Sequence, residues 1–399
     1  MRLLVSAYAC EPNLGSEPEV GLQAVLTAAS QHDVWVITRE NNLPSLRSFL
    51  EEHPLRSRIH LVGLDVEGLA SRVKKRWGLA GMHWYYDLWQ RRLGDLAVRL
   101  DREVGFDVVH HVTFATYWTR TGVARVDKPL VWGPIGGGVQ PPLGLLPVMG
   151  LRGAVGDASR VLMRPVVGLV NRARPTARKA AIVLVQNPDT ARRLRVQDAA
   201  IVLPNALVVG RSTVRGAGSW GGAYPRLVSA GRLIGWKGTA LAIGALRYVR
   251  DPEVMLDVYG AGPEHARLRR TADRLGLADR VRFMGRVPRG ALLSALEEAM
   301  ALVHPALHEE AGFVVAEALA LGVPVVGLNH GGPPVVAEFF PGVPSHMVEP
   351  STPRKTARRI AEAIDDLIVG PRVPPPIAYE DLFGQALLTA YQKAVRARR

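Results

Sequence analysis

The strongest constraint on this chain is a rhythm: short apolar runs, each followed by a helix-length segment, that plays through once and then restarts. Runs of four to six residues fall at 2–6, 33–38, 58–63, 107–111, 129–132 and 181–186, with amphipathic helices expected at 20–31 and 87–104. Runs this short and this continuously apolar fit strands buried on both faces, and helical intervals between them point to a parallel sheet. The series begins again with strands at 226–230, 255–259, 281–284, 301–304 and 324–327, and helices at 239–248 and 264–275. Two sets of βα units imply an α/β chain with two doubly wound, Rossmann-like domains. The 399 residues suffice for two domains and exceed one ordinary core. The Gly-, Ser- and Val-rich stretch 205–224 lacks clean periodicity and reads as the linker, which gives domains at 1–205 and 225–376. A polar helix at 352–368 leads into the Pro-rich crossing 370–376 and a last amphipathic helix at 379–396. From the pattern alone, that final helix either returns to the first domain or caps the second.

Lys plus Arg outnumber Asp plus Glu by 50 to 36, a net charge of +14. Such an excess points to an anionic partner (nucleic acid, membrane surface or phosphorylated ligand) or to an Arg-rich solvated surface. No helix-turn-helix pattern, zinc finger or RNA-binding motif accompanies it, so nucleic acid is not expected. A single cysteine, Cys10, excludes an intrachain disulfide and a Cys-rich zinc site. The first ten residues hold one Arg and a short apolar stretch ahead of Glu11 and Pro12, so no secretory leader is expected. Two long uncharged runs remain: 129–151 contains five prolines and six glycines, and 318–337 is broken by Pro324, Gly331, Gly332, Pro333 and Pro334. Neither would satisfy its own backbone in lipid. The expectation is a soluble, cytoplasmic chain.

Three motifs follow strands of the second half. In His304–Val326 a strand gives way to a loop with Glu309 and Glu310, then to a helix opened by Ala311 and Gly312 and carrying Glu317. Gly312 lets backbone approach a ligand closely, and the free amides of a helix N-terminus favour an anion such as phosphate. Glu309 and Glu317 are placed to hold hydroxyls of a sugar and a ribose; the plainer reading has them as a dipole partner and a solvated side chain. In Gly231-Arg232-Leu233-Ile234-Gly235-Trp236-Lys237-Gly238, two cations five residues apart on a strand-to-helix loop can clamp a diphosphate, or be ordinary surface cations. The third, Gly260-Ala261-Gly262, marks a tight loop at the carboxyl edge of the sheet. His265 prevents a full G-x-G-x-x-G, which counts against a dinucleotide oxidoreductase. With no P-loop and no D-x-D, a metal-held nucleotide phosphate is not expected, and no metal or cofactor is assigned.

GRLIGWKG, DVYGAGPE, VRFMGRVPR and HEEAGFVVAEALALGVPVV together resemble the family 4 retaining glycosyltransferases of GT-B fold. The resemblance is strongest over 227–326. In the first half, SAYACEPNLGSEPEVG and VWGPIGGGVQPP are similar to a bacterial subgroup of that family. One departure is local: the family usually has an aromatic before the glycine of the loop, where this chain has Ala311, with Phe313 after it. The resemblance implies two Rossmann-like domains with a cleft between them, an acceptor-binding first domain, and a terminal segment, 377–399, that returns to it. It implies transfer of a sugar from a nucleotide diphosphate sugar to an acceptor hydroxyl or other nucleophile by a metal-independent front-face route. Arg232 and Lys237 would bind the donor diphosphate. Amides around Ala311, Gly312, Phe313 and Val314 would bind its distal phosphates, Glu317 the ribose and Glu309 the donor sugar. Gly262, Arg286 and Val287 would line the donor, and Gly15 and Ser16 would approach it from the first domain. His110 or His111 would stand near the reacting carbon, and Gly136, Gly137 and Gly138 on the acceptor side.

The acceptor stays open. The Trp-, Tyr- and Arg-rich segment 70–99 and the basic segment 143–178 suit an anionic membrane and a lipid-linked or cell-envelope glycan, or equally a soluble secondary metabolite. Other activities of the same shape also stay open: a nucleotide-sugar epimerase, a sugar phosphorylase (whose pyridoxal phosphate lysine is not identified), or a silent sugar-nucleotide binding protein.

Overall fold

The structure, a computed structural model, describes residues 1–66, 78–150, 153, 173–208, 225–369 and 381–397. Most of the expected linker, the Pro-rich crossing, and parts of the segments 70–99 and 143–178 lie outside the described residues. The chain divides into two compact units: Met1–Gly138 with Val166–Val208 and Asp381–Arg399, and Val139–Pro165 with Val209–Glu380.

The first unit is built on strands β1 (Arg2–Ser6), β2 (Asp33–Thr38), β3 (Ile59–Gly63), β4 (Val108–His111), β5 (Leu130–Ile135), β6 (Ile182–Val185) and β7 (Ile201–Val202). They form one sheet in the order β3-β2-β1-β4-β5-β6-β7, and each described pairing is parallel. Its central strands carry the most continuous apolar runs because both faces are covered: Leu3, Leu4, Val5, Val108 and Val109 are all buried. Helix α1 (Ser16–Gln31) starts four residues earlier than its apolar period begins, at Ser16 rather than residue 20. Pro18 sits in the first turn, where its missing N–H costs nothing, and Glu17 and Glu19 favour that end of the helix dipole. Helices α2 (Leu43–Glu51) and α3 (Gly78–Val104) precede β3 and β4, while α4 (Ala173–Lys179) and α5 (Pro188–Leu194) flank β6.

The second unit repeats the plan with β8 (Arg226–Ala230), β9 (Met255–Tyr259), β10 (Val281–Gly285), β11 (Ala301–His304), β12 (Val325–Leu328) and β13 (Ser345–Val348). The order is β10-β9-β8-β11-β12-β13, again parallel throughout the described pairings. Helices α6 (Thr239–Leu246), α7 (His265–Arg274), α8 (Arg289–Glu297), α9 (Phe313–Ala320), α10 (Gly332–Glu338) and α11 (Pro353–Val369) alternate with the strands. Strands β7 and β13 escape the sequence reading because they are short or half-buried edges, without the continuous apolar run that marks a central strand.

Two segments depart from a simple reading of chain order. Residues 139–149 pack into the core of the second unit, not the first: Leu145 and Met149 are fully buried there beside Leu233, Leu241 and Leu268. The final helix, α12 (Leu382–Arg396), lies in the first unit. Asp381 caps it by accepting from the Gly384 N–H at 2.8 Å, and Phe383, Leu387, Ala390, Tyr391 and Ala394 form one buried stripe. That stripe packs on α1 and on β4, β5 and β6. Among the described residues no helix is long and apolar enough to cross a membrane.

The Tyr391 hydroxyl reaches the buried His110 Nδ1 at 2.9 Å. Tyr391→Phe leaves that ring nitrogen without a donor, at a cost of about 1–3 kcal/mol. Urea denaturation should show the first unit destabilised by that amount with its far-UV dichroism unchanged; an unaltered midpoint would refute the role.

Candidate active site

In each sheet the chain winds outward from a central strand in two directions, β1 with β4 beside it and β8 with β11 beside it. The loops that leave such a pair diverge to opposite faces, and the gap at their carboxyl ends is where α/β sheets bind ligands. In the second unit that gap receives the loop 231–238 after β8 and the loop 305–312 after β11.

The glycines of these loops act first on the chain itself. A Cβ at Gly238, whose φ is +70°, would overlap the Pro305 carbonyl. A Cβ at Gly260 would overlap the Gly231 carbonyl, and one at Gly262 would overlap the Leu233 carbonyl. The Gly260-Ala261-Gly262 turn, expected as a tight loop at the carboxyl edge of the sheet, makes room for the neighbouring loop, and Gly262 lies against backbone. Stacking three loops this closely sets their shape.

The Lys237 ammonium forms an ion pair with the Glu309 carboxylate, and His304 Nε2 stands 3.2 Å from the same Glu309 oxygen. Burial by itself would push the Glu309 carboxyl up; the His304 hydrogen bond and the Lys237 charge outweigh it and hold the group well below the usual carboxylate range. The sequence reading gave Lys237 to a diphosphate and Glu309 to a sugar, whereas the structure joins them to each other. The side chain of Arg232, exposed on the same loop, makes no hydrogen bond or ion pair among the described residues. It is the readier of the two cations to meet an anion.

Helix α9 begins at Gly312 in the left-handed region, φ +80°, with no side-chain cap. Its first intrahelical bond is Ala316 N–H to the Gly312 carbonyl, at 3.0 Å, so the amides of Phe313 and Val314 are not used within the helix. Ala311 is buried, and the Glu310 carboxylate turns to accept the Val139 N–H at 3.0 Å. Glu317 is not solvated: Arg289 Nε donates to it at 2.8 Å. Arg289 was missed by sequence reasoning, since nothing in a lone Arg at the start of α8 signals a partner 28 positions on. Arg286 is exposed and Val287 half-buried after β10. Among the described residues no group of three or more His, Cys, Asp or Glu side chains stands together as a metal centre.

The first unit carries the remaining expected residues. Asn13, Gly15 and Ser16 all have positive φ, 64°, 64° and 53°, in the loop after β1, and Phe114 follows β4 at 56°. Non-glycine residues held there mark a segment shaped by its surroundings. Glu17 does part of that shaping: it accepts from the Phe114 N–H at 3.1 Å and from Asn205 Nδ2 at 2.9 Å. Burial raises its carboxyl above the usual range against those bonds.

His110 and His111 alternate across the sheet, and both are fully buried. His110 Nε2 donates to the Gly133 carbonyl at 2.8 Å, which leaves Nδ1 to accept from Tyr391. His111 lies between the Ser6 hydroxyl, 3.0 Å from Nδ1, and the Tyr86 hydroxyl, 3.1 Å from Nε2. Burial lowers the His110 ring to about 4 and the His111 ring to about 3, so both are neutral at physiological pH. In each ring both nitrogens are engaged within the first unit. The glycines expected on the acceptor side are packed against the chain itself. A Cβ at Gly136 would stand 3.0 Å from the Gln186 amide, one at Gly137 would overlap the Trp118 ring, and one at Gly138 would overlap the Thr190 backbone.

Residues 212–369 match the family model described as glycosyl transferases group 1. The chain carries a group 1 glycosyl transferase domain. That domain holds Arg232, Lys237, Glu309, Gly312 and Glu317, and the similarity runs beyond it. A 2-deoxystreptamine glucosyltransferase of Streptomyces kanamyceticus is 26% identical over 328 residues, 78% of this chain and 77% of that relative. A 2-deoxystreptamine N-acetyl-D-glucosaminyltransferase of Streptomyces fradiae is 33% identical over 172 residues, 39% of this chain and 40% of that relative's length. A lipopolysaccharide outer core galactosyltransferase, WaaB, superposes with TM-score 0.60 at 12% identity, covering 100% of this chain and 99% of its own. HepE of Anabaena in complex with UDP superposes with TM-score 0.52 at 18% identity, covering 99% and 96%. The fold is GT-B, and residues 212–369 are the part of the chain that groups with the group 1 glycosyl transferases.

The ion pair in the group 1 domain has a pH signature. Because the folded Glu309 carboxyl titrates below its unfolded value of roughly 4.3, its stabilisation is fully present above that value and is lost as pH falls through the lower folded one. The stability difference between the natural chain and Glu309→Gln should be constant from about pH 6 to 8 and shrink below about pH 4. Thermal unfolding across that range checks it; a difference that persists unchanged into acid would contradict the assignment.

Proposed function

We propose that this chain moves a sugar from a nucleoside diphosphate sugar to an acceptor hydroxyl with retention at the anomeric carbon. The observation that carries the reading is the meeting, at the β8/β11 gap, of an unpaired Arg232, the Lys237–Glu309 pair and the uncapped start of α9. Positive charge and amide dipoles on the loops that leave β8 and β11 would stabilise negative charge that builds on a leaving diphosphate. Protein charge of this kind does the work of a metal, so the proposed reaction is metal-independent. The front-face route is the one that the family resemblance implies. The acceptor O–H bonds to the anomeric carbon as the bond from that carbon to the phosphate oxygen breaks, and the proton passes to that phosphate oxygen. Glu309 holds the donor sugar's hydroxyls, and Glu317 the ribose, once each exchanges its cationic partner for the ligand.

For the acceptor we favour a small polyhydroxylated ring of the cyclitol class in the cytoplasm. Two of the relatives are named for transfer to 2-deoxystreptamine, and others for transfer to D-inositol 3-phosphate. A lipid-linked glycan on an anionic membrane is the outcome that would displace this choice.

Arg232→Ala is the clean test, because the side chain is exposed and holds nothing else in place. Turnover should fall on the order of a hundredfold or more with the melting temperature unchanged. Lys237→Ala should lose activity and stability together, since it leaves the buried Glu309 carboxylate with His304 in place of a full cationic partner. A thermal-shift panel of UDP-, GDP- and dTDP-sugars identifies the donor, and transfer to cyclitols against lipid-linked acceptors identifies the acceptor. Near-normal turnover in Arg232→Ala, or no shift with any nucleotide sugar, would overturn the proposal.

A further inference from the structure

We infer that residues 139–149 act as a strap that holds the two donor-site loops in fixed register, with Glu310 and Gly235 as positioning residues. The inference rests on the function proposed above for what the register serves, and on the second unit alone for its geometry. At one end of the strap, the Val139 N–H donates to Glu310 Oε1 at 3.0 Å, within the loop that also carries Glu309 and Gly312. Gly331 closes on the same residue, where a Cβ would come within 3.1 Å of the Val139 methyl. At the other end, Gly235 lies so close to Met149 that a Cβ would overlap the Met149 carbonyl, midway between Arg232 and Lys237. Between these ends the strap is anchored: Leu145 and Met149 are fully buried, and a Cβ at Gly144 would stand 2.7 Å from the Ser351 carbonyl. Arg267 adds a third tie, donating to the Val148 carbonyl at 3.0 Å while paired with Glu264 beside the Gly260–Gly262 turn.

Each contact alone is ordinary packing. Their common feature is that one segment touches both loops that supply the diphosphate charges, at positions with no ligand-facing duty. A bond from an ionised carboxylate to a backbone amide is among the stronger kinds, and it explains a second Glu beside Glu309. His308 Nε2, 3.6 Å from the same Glu310 oxygen, adds to the hold on that carboxylate. Loops pinned to a shared support keep their donors aimed without reorganising during reaction, and small misplacements there are costly.

The distinguishing consequence is cross-talk between loops, read by amide hydrogen exchange on the full chain. Glu310→Ala should speed exchange in 231–238 as well as in 305–314, and Gly235→Ala should speed it in both as well. With donor, Glu310→Ala should raise KM about tenfold with a smaller change in kcat, and Glu310→Gln, whose amide oxygen still accepts the Val139 N–H, should restore most of it. Gly244→Ala is the control: its Cβ would meet nothing closer than 3.9 Å. If Glu310→Ala does not fold, Gly235→Ala carries the same comparison. Faster exchange confined to the mutated loop would overturn the strap whatever the activity. Exchange that moves in both loops of a chain that binds no nucleotide sugar would uphold the strap and sink the function instead.

Discussion

A sheet of parallel strands has to be covered on both faces, and each unit of this chain is shaped by that requirement. From β1 and from β8 the chain winds outward in two directions, so the loops beside the central strand diverge to opposite faces. In the second unit the divergence leaves backbone and charge concentrated where β8 and β11 end. The loops that fill the gap stack on one another through Gly238, Gly260 and Gly262 before any ligand enters.

Buried charge is the second theme. Glu309, on the loop after β11, and Glu17, in the first turn of α1, are tuned in opposite directions. Lys237 and His304 hold Glu309 low, so it is a fixed anion. Glu17 has only an amide N–H and the Asn205 side chain for partners, and burial raises it. A carboxylate that bonds a cation and an imidazole supports charge chemistry, whereas one that bonds neutral donors ties chain segments together. His110 and His111 are of the second kind. They are neutral rings, and His110 joins the final helix to β5 through Tyr391 and the Gly133 carbonyl.

Segment 139–149 shows how a chain-order reading of domains fails. The uncharged, Gly- and Pro-rich run from 129 to 151 looked like one stretch of the first domain. The run is divided instead: β5 is a strand of the first unit, and Leu145 and Met149 are core residues of the second. No composition shift marks the change at Val139, because both halves are apolar for the same reason, burial, in different cores.

The sequence by itself determined the two series of parallel strands, the strand-to-helix loops with Arg232, Lys237, Glu309 and Gly312, and the family they resemble. Periodicity, loop glycines and motif spacing are short-range properties, and these features are short-range. Only the tertiary structure decided that Lys237 pairs with Glu309, that Arg289 holds Glu317, that Gly136, Gly137 and Gly138 lie against Gln186, Trp118 and Thr190, and that His110 meets Tyr391, 281 positions away. Those partners are set by which strands lie side by side and which face each residue takes. A local pattern holds no record of either, since the energy that selects them comes from burial and from pairing polar groups across the assembled core.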